Sequence, residues 1–325
     1  MKLATIHDGS SDGALVVVSR DLQHVASASA IAATMQQALE NWDRVFPALN
    51  ALYETLNQGK VPSAQPYAQQ RFMAPLPRAW QWLDGSAFPQ HAKLMSEAFK
   101  HPPIETEFPL MYQGLSHLFY GPHDDIPFVS EKDGIDFEGE FGVITSAVPM
   151  GTSRDNAGKH IRLVVQLNDW SLRRYAPLEM KTGFGWILAK PACSVAPVAL
   201  TPDELGACWQ QQRVTAVLQV SRNGKQVGAV PATEMEYGFD DLIAHAARTR
   251  PLCTGTLIGS GTVSHSDYSN KGSTCISEQR AIEMIAKGTP DTTFLHFGES
   301  VAMRAFAPGS EVPLFGVMDQ CVIAA

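Results

Sequence analysis

Short apolar runs rather than long amphipathic ones carry most of this chain. Leu3-Ala4-Thr5-Ile6 and Ala14-Leu15-Val16-Val17-Val18 flank the turn-forming cluster Gly9-Ser10-Ser11-Asp12-Gly13 and predict two strands near the start. From about residue 27 to 57 the period changes. Ile31, Met35, Leu39, Trp42 or Val45 and Phe46 recur at three- and four-residue spacing, which predicts a helix that Pro47 bends or splits and Gly59 ends. A linker from Pro62 to Pro66 and an aromatic run, Trp80-Gln81-Trp82-Leu83-Asp84, lead to a second predicted helix from Phe88 to Lys100, followed by proline-rich loops. From Phe108 onward β-like runs dominate, at 141–146, 160–167, 214–221 and 225–230, and the last pair flanks Asn223-Gly224, the strongest hairpin signal in the chain. Two later helices are predicted at 239–247 and 277–285. Strands that outnumber the helices without alternating with them predict an α+β, mainly β architecture: a small N-terminal domain over residues 1–78, with a β layer and a helix, and a larger body over 79–325.

The bulk properties narrow the classes of partner. The 325 residues carry a formal net charge of −8, which argues against nucleic acid or an anionic membrane, because both demand basic patches. Small-molecule chemistry remains. Cys193, Cys208, Cys253, Cys275 and Cys321 are odd in number, form no Cys-x-x-Cys pair and sit among apolar or small residues, so they are expected to be reduced core residues. The start of the chain turns polar too soon for a signal peptide, and no apolar run is long enough to span a bilayer; a cytoplasmic protein is expected.

Candidate chemistry centres on Asp136-Phe137-Glu138-Gly139-Glu140-Phe141. In a strand Glu138 and Glu140 share a face, and two carboxylates so close repel unless a cation or a shared proton intervenes. A solvated strand face gives the same alternation, so both readings stand on this stretch alone. Asn168-Asp169 ends the apolar run from Ile161 to Leu167, either as a turn or as the rim of a site. Asp84 closes the aromatic run, and His91 follows seven residues later. Together Asp84, Glu138, Glu140 and Asp169 form an all-oxygen set suited to Mg²⁺, Mn²⁺ or Ca²⁺ and poorly suited to Zn²⁺.

The order Asp84-x6-His91, Tyr112-Gln113-Gly114, Asp136-Phe137-Glu138-Gly139-Glu140, Asn168-Asp169-Trp170-Ser171-Leu172-Arg173, Gly185 to Lys190-Pro191 and Gly259-Ser260-Gly261-Thr262-Val263-Ser264 resembles the fumarylacetoacetate hydrolase family. The resemblance runs from about residue 75 to the end, and the first 75 or so residues resemble the small N-terminal domain of fumarylacetoacetases. It implies a β-sandwich roll catalytic domain, a homodimer and a divalent metal between Asp84, Glu138, Glu140 and Asp169. Lys190 and Ser194 match a pair near a second, structural metal site. His91 matches the catalytic histidine, and Glu278 the carboxylate that orients it. Arg173 and Lys190 match groups near the reacting carbonyl, and Tyr112 and Thr262 match pocket positions. The chain departs from the pattern at substrate-reading positions, with Ser86 in place of a tyrosine, Lys100 in place of an arginine and Ala176 in place of a glutamine. Lysine does not reproduce the bidentate fork of arginine, so the acyl group read is expected to differ.

The implied activity is metal-dependent hydrolysis of a carbon–carbon bond in a β-diketo acid such as fumarylacetoacetate or an acylpyruvate. Decarboxylation or isomerisation of a 2-oxo acid uses the same scaffold, and a non-catalytic metal-stabilised protein explains the carboxylates but not His91, Arg173 and Lys190.

Overall fold

The computed structural model describes residues 1–100 and 106–325, so the proline-rich loop expected at Pro102-Pro103 lies outside the described residues. Its centre is an eleven-stranded sheet. The sheet runs from Gln65–Pro66 (β4) through His24–Ser27 (β3), Ala14–Val18 (β2), Lys2–Ile6 (β1), Val198–Leu200 (β13), Ile161–Asn168 (β10), Gly139–Thr145 (β9), Leu257–Gly259 (β18) and Trp82–Gly85 (β5) to Met111–Gly114 (β6), with Ser194–Val195 (β12) paired to β10. A five-stranded sheet orders Lys225–Pro231 (β17), Val217–Arg222 (β16), Ser300–Phe306 (β19), Met318–Ala324 (β20) and Ile126–Phe128 (β7). Two small ribbons pair Ile135–Asp136 (β8) with Ser171–Leu172 (β11) and Trp209–Gln210 (β14) with Arg213–Val214 (β15). The helices are Met35–Glu40 (α1), Trp42–Asn57 (α2), Pro89–Phe99 (α3), Ala176–Thr182 (α5), Phe239–Ala246 (α6) and Ile276–Lys287 (α8), with the short turns Arg154–Ala157 (α4) and Tyr268–Lys271 (α7).

The pleat of β10 explains why its sequence is almost continuously apolar. Leu163, Val165 and Leu167 face one core, with α1, α2, Leu3, Leu15 and Val17, whereas Val164 faces another, with Phe141, Val143, Leu218, Met303 and Val322. Covered on both faces, a central strand has no solvent side to mark with polar residues. The polar positions that remain, Gln166, Asn168 and the adjoining Asp169, are buried all the same and need partners. The sheet-dominated α+β class expected from the sequence is the one observed, and the strands of the N-terminal segment join the large sheet directly through β1 and β13.

Local expectations fare unevenly. The hairpin at Asn223-Gly224 forms between β16 and β17, with φ of 51° and 74° at its two central residues, the left-handed pair a tight two-residue turn requires. The helix expected from residue 27 is shorter: β3 extends to Ser27, and the break falls at Asn41, not at Pro47. Pro47 sits inside α2 on its exposed side, and the carbonyl left without an N–H belongs to exposed Asp43, where water reaches it. Of the five cysteines, all free, Cys253 is exposed and Cys321 half-buried, because one lies in a surface turn and the other on the outward side of β20; the expectation of five core cysteines is corrected to three. Helix α5 was not anticipated. It opens an excursion to Ala189 held by Glu179, whose carboxylate accepts the N–H groups of Ile187, Leu188 and Ala189 at 2.9–3.1 Å while Phe184 stands 97% exposed. No helix among the described residues is long and apolar enough to cross a membrane.

Candidate active site

The large sheet brings the carboxylates together by register. Asp84 lies opposite Gly259 on β18 and Tyr112 on β6, Gly259 lies opposite Gly142 on β9, and Glu140 on β9 lies opposite Leu167 on β10, which runs into Asp169. Two glycines keep the approach open. A Cβ at Gly259 would stand 2.3 Å from Asp84 Oδ1; at Gly261, where φ is +77°, it would stand 2.5 Å from the Gly85 carbonyl oxygen. The Gly261 N–H in turn donates to Asp84 Oδ1 at 3.2 Å.

Asp84, Glu140 and Asp169, all buried, each place one carboxylate oxygen within 4.8 Å of the others. Among the described residues no hydrogen-bond donor reaches either oxygen of Glu140. Burial, and after it the neighbouring Asp169, raises the Asp84 pKa well above the ordinary carboxylate range; for Glu140 burial and then Asp84 do the same. Asp169 is satisfied differently. Its Oδ2 accepts from Tyr112 Oη and Lys190 Nζ, each at 2.6 Å, and its Oδ1 from the Cys193 thiol at 3.0 Å. Burial and the adjacent Asp169 push that thiol's pKa up, which keeps it a donor.

Glu138 stands beside the three rather than among them. Its Oε1 accepts from Arg173 Nη2 at 2.5 Å and its Oε2 from Lys190 Nζ at 2.6 Å. Burial alone would raise its pKa, but Lys190 and then Arg173 hold it well below the usual carboxylate range. Burial likewise opposes the charge of Lys190, and Asp169 and Glu138 overcome it, so the ammonium is held more firmly than usual. Arg173 is shared between Glu138 and the buried Asp136, and Lys190 between Glu138 and Asp169, so Asp84 and Glu140 are left with no basic partner of their own among the described residues, an excess of negative charge that a divalent cation offsets. The donors are oxygens, the orphaned Glu140 carboxylate points into the cluster, and the set fits a hard cation such as Mg²⁺, Mn²⁺ or Ca²⁺.

A second group adjoins this cluster. His91, in the first turn of α3, places Nδ1 3.5 Å from Glu278 Oε1 in the first turn of α8, and its side chain is 19% exposed. The contact is longer than a good hydrogen bond, and the buried Nδ1 has no other partner among the described residues. Glu278 is clamped from behind: Ser264 Oγ donates to Oε1 at 2.5 Å and Ser273 Oγ to Oε2 at 2.6 Å.

The remaining predicted residues are placed as follows. Ser194 is fully buried on β12, where its Oγ accepts from Trp170 Nε1 at 2.8 Å. Thr262 is buried in the turn after β18, next to the glycine that caps Asp84. Ser86 is exposed just past β5, and Lys100 is exposed at the left-handed C-terminal cap of α3. Tyr112 turns its hydroxyl onto Asp169. Sequence reasoning assigned no role to Cys193, Ser264, Ser273 or Asp136. Cys193 lies between Lys190 and Ser194, Asp136 heads the motif of the paired glutamates and Ser264 closes the motif at 259–264, so all three had a positional signal; Ser273 had none.

Comparison with known proteins decides the family. Residues 81–322 match the fumarylacetoacetate (FAA) hydrolase C-terminal family, and residues 1–78 match fumarylacetoacetase N-terminal domain 2. The chain belongs to the fumarylacetoacetate hydrolase family. A 2,4-didehydro-3-deoxy-L-rhamnonate hydrolase of Sphingomonas sp. (strain SKA58) is 28% identical over 163 residues, 49% of this chain and 54% of that protein, so the match spans about half of the relative's length. The fold is shared with a probable 2-hydroxyhepta-2,4-diene-1,7-dioate isomerase from Mycobacterium abscessus, at a TM-score of 0.68 and 16% identity over 100% of this chain and 99% of that one. It is also shared with maleylpyruvate hydrolase from Sphingobium sp. SYK-6 in complex with manganese(II) and pyruvate, at a TM-score of 0.67 and 16% identity over the whole of both chains. Proteins that share this fold thus include a hydrolase captured with manganese(II) and a probable isomerase.

Proposed function

We propose that this protein is a divalent-metal-dependent hydrolase that cleaves a carbon–carbon bond in a β-diketo acid such as fumarylacetoacetate or an acylpyruvate. The observation that carries the reading is His91 facing Glu278 beside the carboxylate cluster. An isomerase or a decarboxylase needs the metal site, but only a hydrolase needs a base for water.

Asp84, Glu140 and Asp169 are the residues that would hold the cation, with Glu138 as the counter-ion that fixes Arg173 and Lys190 beside it. When bound, such a cation supplies polarisation of the 2-oxo acid and charge neutralisation for the enolate that departs. Neutral His91 takes a proton from water, and Glu278 steadies the imidazolium that results; the 3.5 Å separation leaves room for the pair to close once substrate is bound. Ser264 and Ser273 keep Glu278 aimed at the ring. Lys190, buried and firmly protonated, would meet the negative charge that develops on the attacked carbonyl, with Arg173 joined to it through Glu138. The balance for an acylpyruvate is R–CO–CH₂–CO–COO⁻ plus water giving R–COO⁻, CH₃–CO–COO⁻ and a proton. Of the two protons of water, one passes through His91 to the departing carbon, which becomes the methyl group of pyruvate, and the other leaves the new carboxylic acid for solvent. Ser86, exposed two residues past Asp84, and Lys100, exposed at the C-terminal cap of α3, are the positions at which the acyl group would be read, and a homodimer is the proposed assembly.

Screening Mn²⁺-loaded protein against fumarylacetoacetate, fumarylpyruvate, acetylpyruvate and oxaloacetate, by loss of the diketo absorbance, tests the reading. Turnover of a diketo acid with release of pyruvate or acetoacetate is expected; turnover of oxaloacetate alone would replace hydrolysis by decarboxylation.

A further inference from the structure

Asp136 is fully buried, yet it takes part in neither the carboxylate cluster nor the His91–Glu278 pair. Its carboxylate is saturated from two directions. Oδ1 accepts the Ile276 N–H at 2.7 Å and Oδ2 the Ser277 N–H at 2.9 Å, which are the first N–H groups of the twelve-residue α8. From the other side Arg173 Nε donates to Oδ2 at 2.8 Å, while Nη2 of the same guanidinium holds Glu138. A helix N-terminus presents free N–H groups and a positive dipole end, and here an internal carboxylate fills it. One residue after Ser277 comes Glu278, which faces His91.

We propose that Asp136 is a positioning residue that ties Arg173 to the N-terminus of α8 and so fixes the distance between the two halves of the site. The inference rests on the reading of His91 and Glu278 given above. Through Arg173 it reaches Glu138 and, one contact further, Lys190 and Asp169; through α8 it reaches Glu278 and His91. An amide at this position cannot replace the carboxylate, because both oxygens accept N–H donors and one atom of an amide would present hydrogens to them. Helix α3 packs against α8, so a shift of the α8 N-terminus moves both partners of the pair.

The test is a double-mutant cycle on the Mn²⁺-loaded full chain with D136N and R173Q, read by amide exchange at Ile276 and Ser277 and by acetylpyruvate turnover. Arg173 bonds to Asp136 and Glu138, so R173Q alone is expected to speed exchange at the two α8 amides by about tenfold, the size of one cap interaction. D136N is expected to lower kcat by about 10²-fold, the cost of a misplaced group, with KM and Mn²⁺ affinity within threefold of the parent. The double variant is expected to be no slower than R173Q alone, within twofold. Unchanged α8 exchange in R173Q, or losses that multiply in the double variant, would overturn the proposal. If D136N does not fold, the exchange measurement on R173Q decides it alone. A parent chain with no turnover of diketo acids would refute the hydrolase reading while leaving the exchange result to judge Asp136.

Discussion

Replacing Glu140 by glutamine is expected to stabilise the metal-free protein and to abolish its response to metal. The Glu140 carboxylate is fully buried, no donor among the described residues reaches it, and its pKa is raised by burial and by Asp84, Asp169 and Glu138. A raised carboxylate pKa in the folded chain contributes stability that is fully present below the ordinary value of 4.5 and is lost as pH rises through the folded-state value. The metal-free parent therefore loses melting temperature as pH climbs above about 5, and E140Q, which carries no charge there, loses less. Metal reverses the order. A cation at a hundred times its Kd adds about 2.7 kcal/mol to a chain that binds it only when folded. With ~2.1 cal/mol/K per residue, a chain of 325 residues unfolds with an entropy of about 0.7 kcal/mol/K, so the parent should gain about 4 °C. E140Q should gain none. Calorimetric melting of both chains at about pH 5 and about pH 8, after chelation and again with Mn²⁺, reads all of these shifts. If E140Q is the less stable metal-free chain at the higher pH, or shows the same gain with Mn²⁺, the reading of Glu140 as an uncompensated metal ligand is wrong.

Three further perturbations separate the roles. H91A should lower hydrolysis by about 10²–10⁴-fold with Mn²⁺ affinity unchanged by calorimetry, since the imidazole pairs with Glu278 and not with the cluster. K190M removes the ammonium shared by Glu138 and Asp169; stranding buried charges costs about 3–5 kcal/mol, which at the entropy above lowers the melting temperature by roughly 4–7 °C. G261A forces a side chain into a left-handed position 2.5 Å from the Gly85 carbonyl oxygen and should cost about 1–2 kcal/mol, with weaker Mn²⁺ binding because the amide that steadies Asp84 shifts.

How much of this was legible in the sequence depends on whether the signal was local. Asn223-Gly224 specified its hairpin outright, because the left-handed conformation at both positions is a property of the two residues themselves. Pro47 misled, because the consequence of a missing N–H depends on which carbonyl it strands, and here that carbonyl faces water. The carboxylates were visible as polar residues in apolar runs, and register across β5, β18, β9 and β10 explains why Asp84 reaches Asp169 across 85 positions of sequence. The two glutamates meet different partners: Glu140 turns to the cluster, whereas Glu138, just outside β9, is held by Arg173 and Lys190. The roles of Ser264 and Ser273 were invisible, since a serine has no chemical signature until the fold places its hydroxyl on Glu278.

Product labelling tests the central claim most directly. Turnover of acetylpyruvate by the Mn²⁺-loaded protein in H₂¹⁸O should place one ¹⁸O in the carboxylate of released acetate for each pyruvate formed, with chelation stopping both. Consumption of diketo or 2-oxo acid with no ¹⁸O in the acid product, through release of carbon dioxide or formation of an isomer, would contradict hydrolysis at this site.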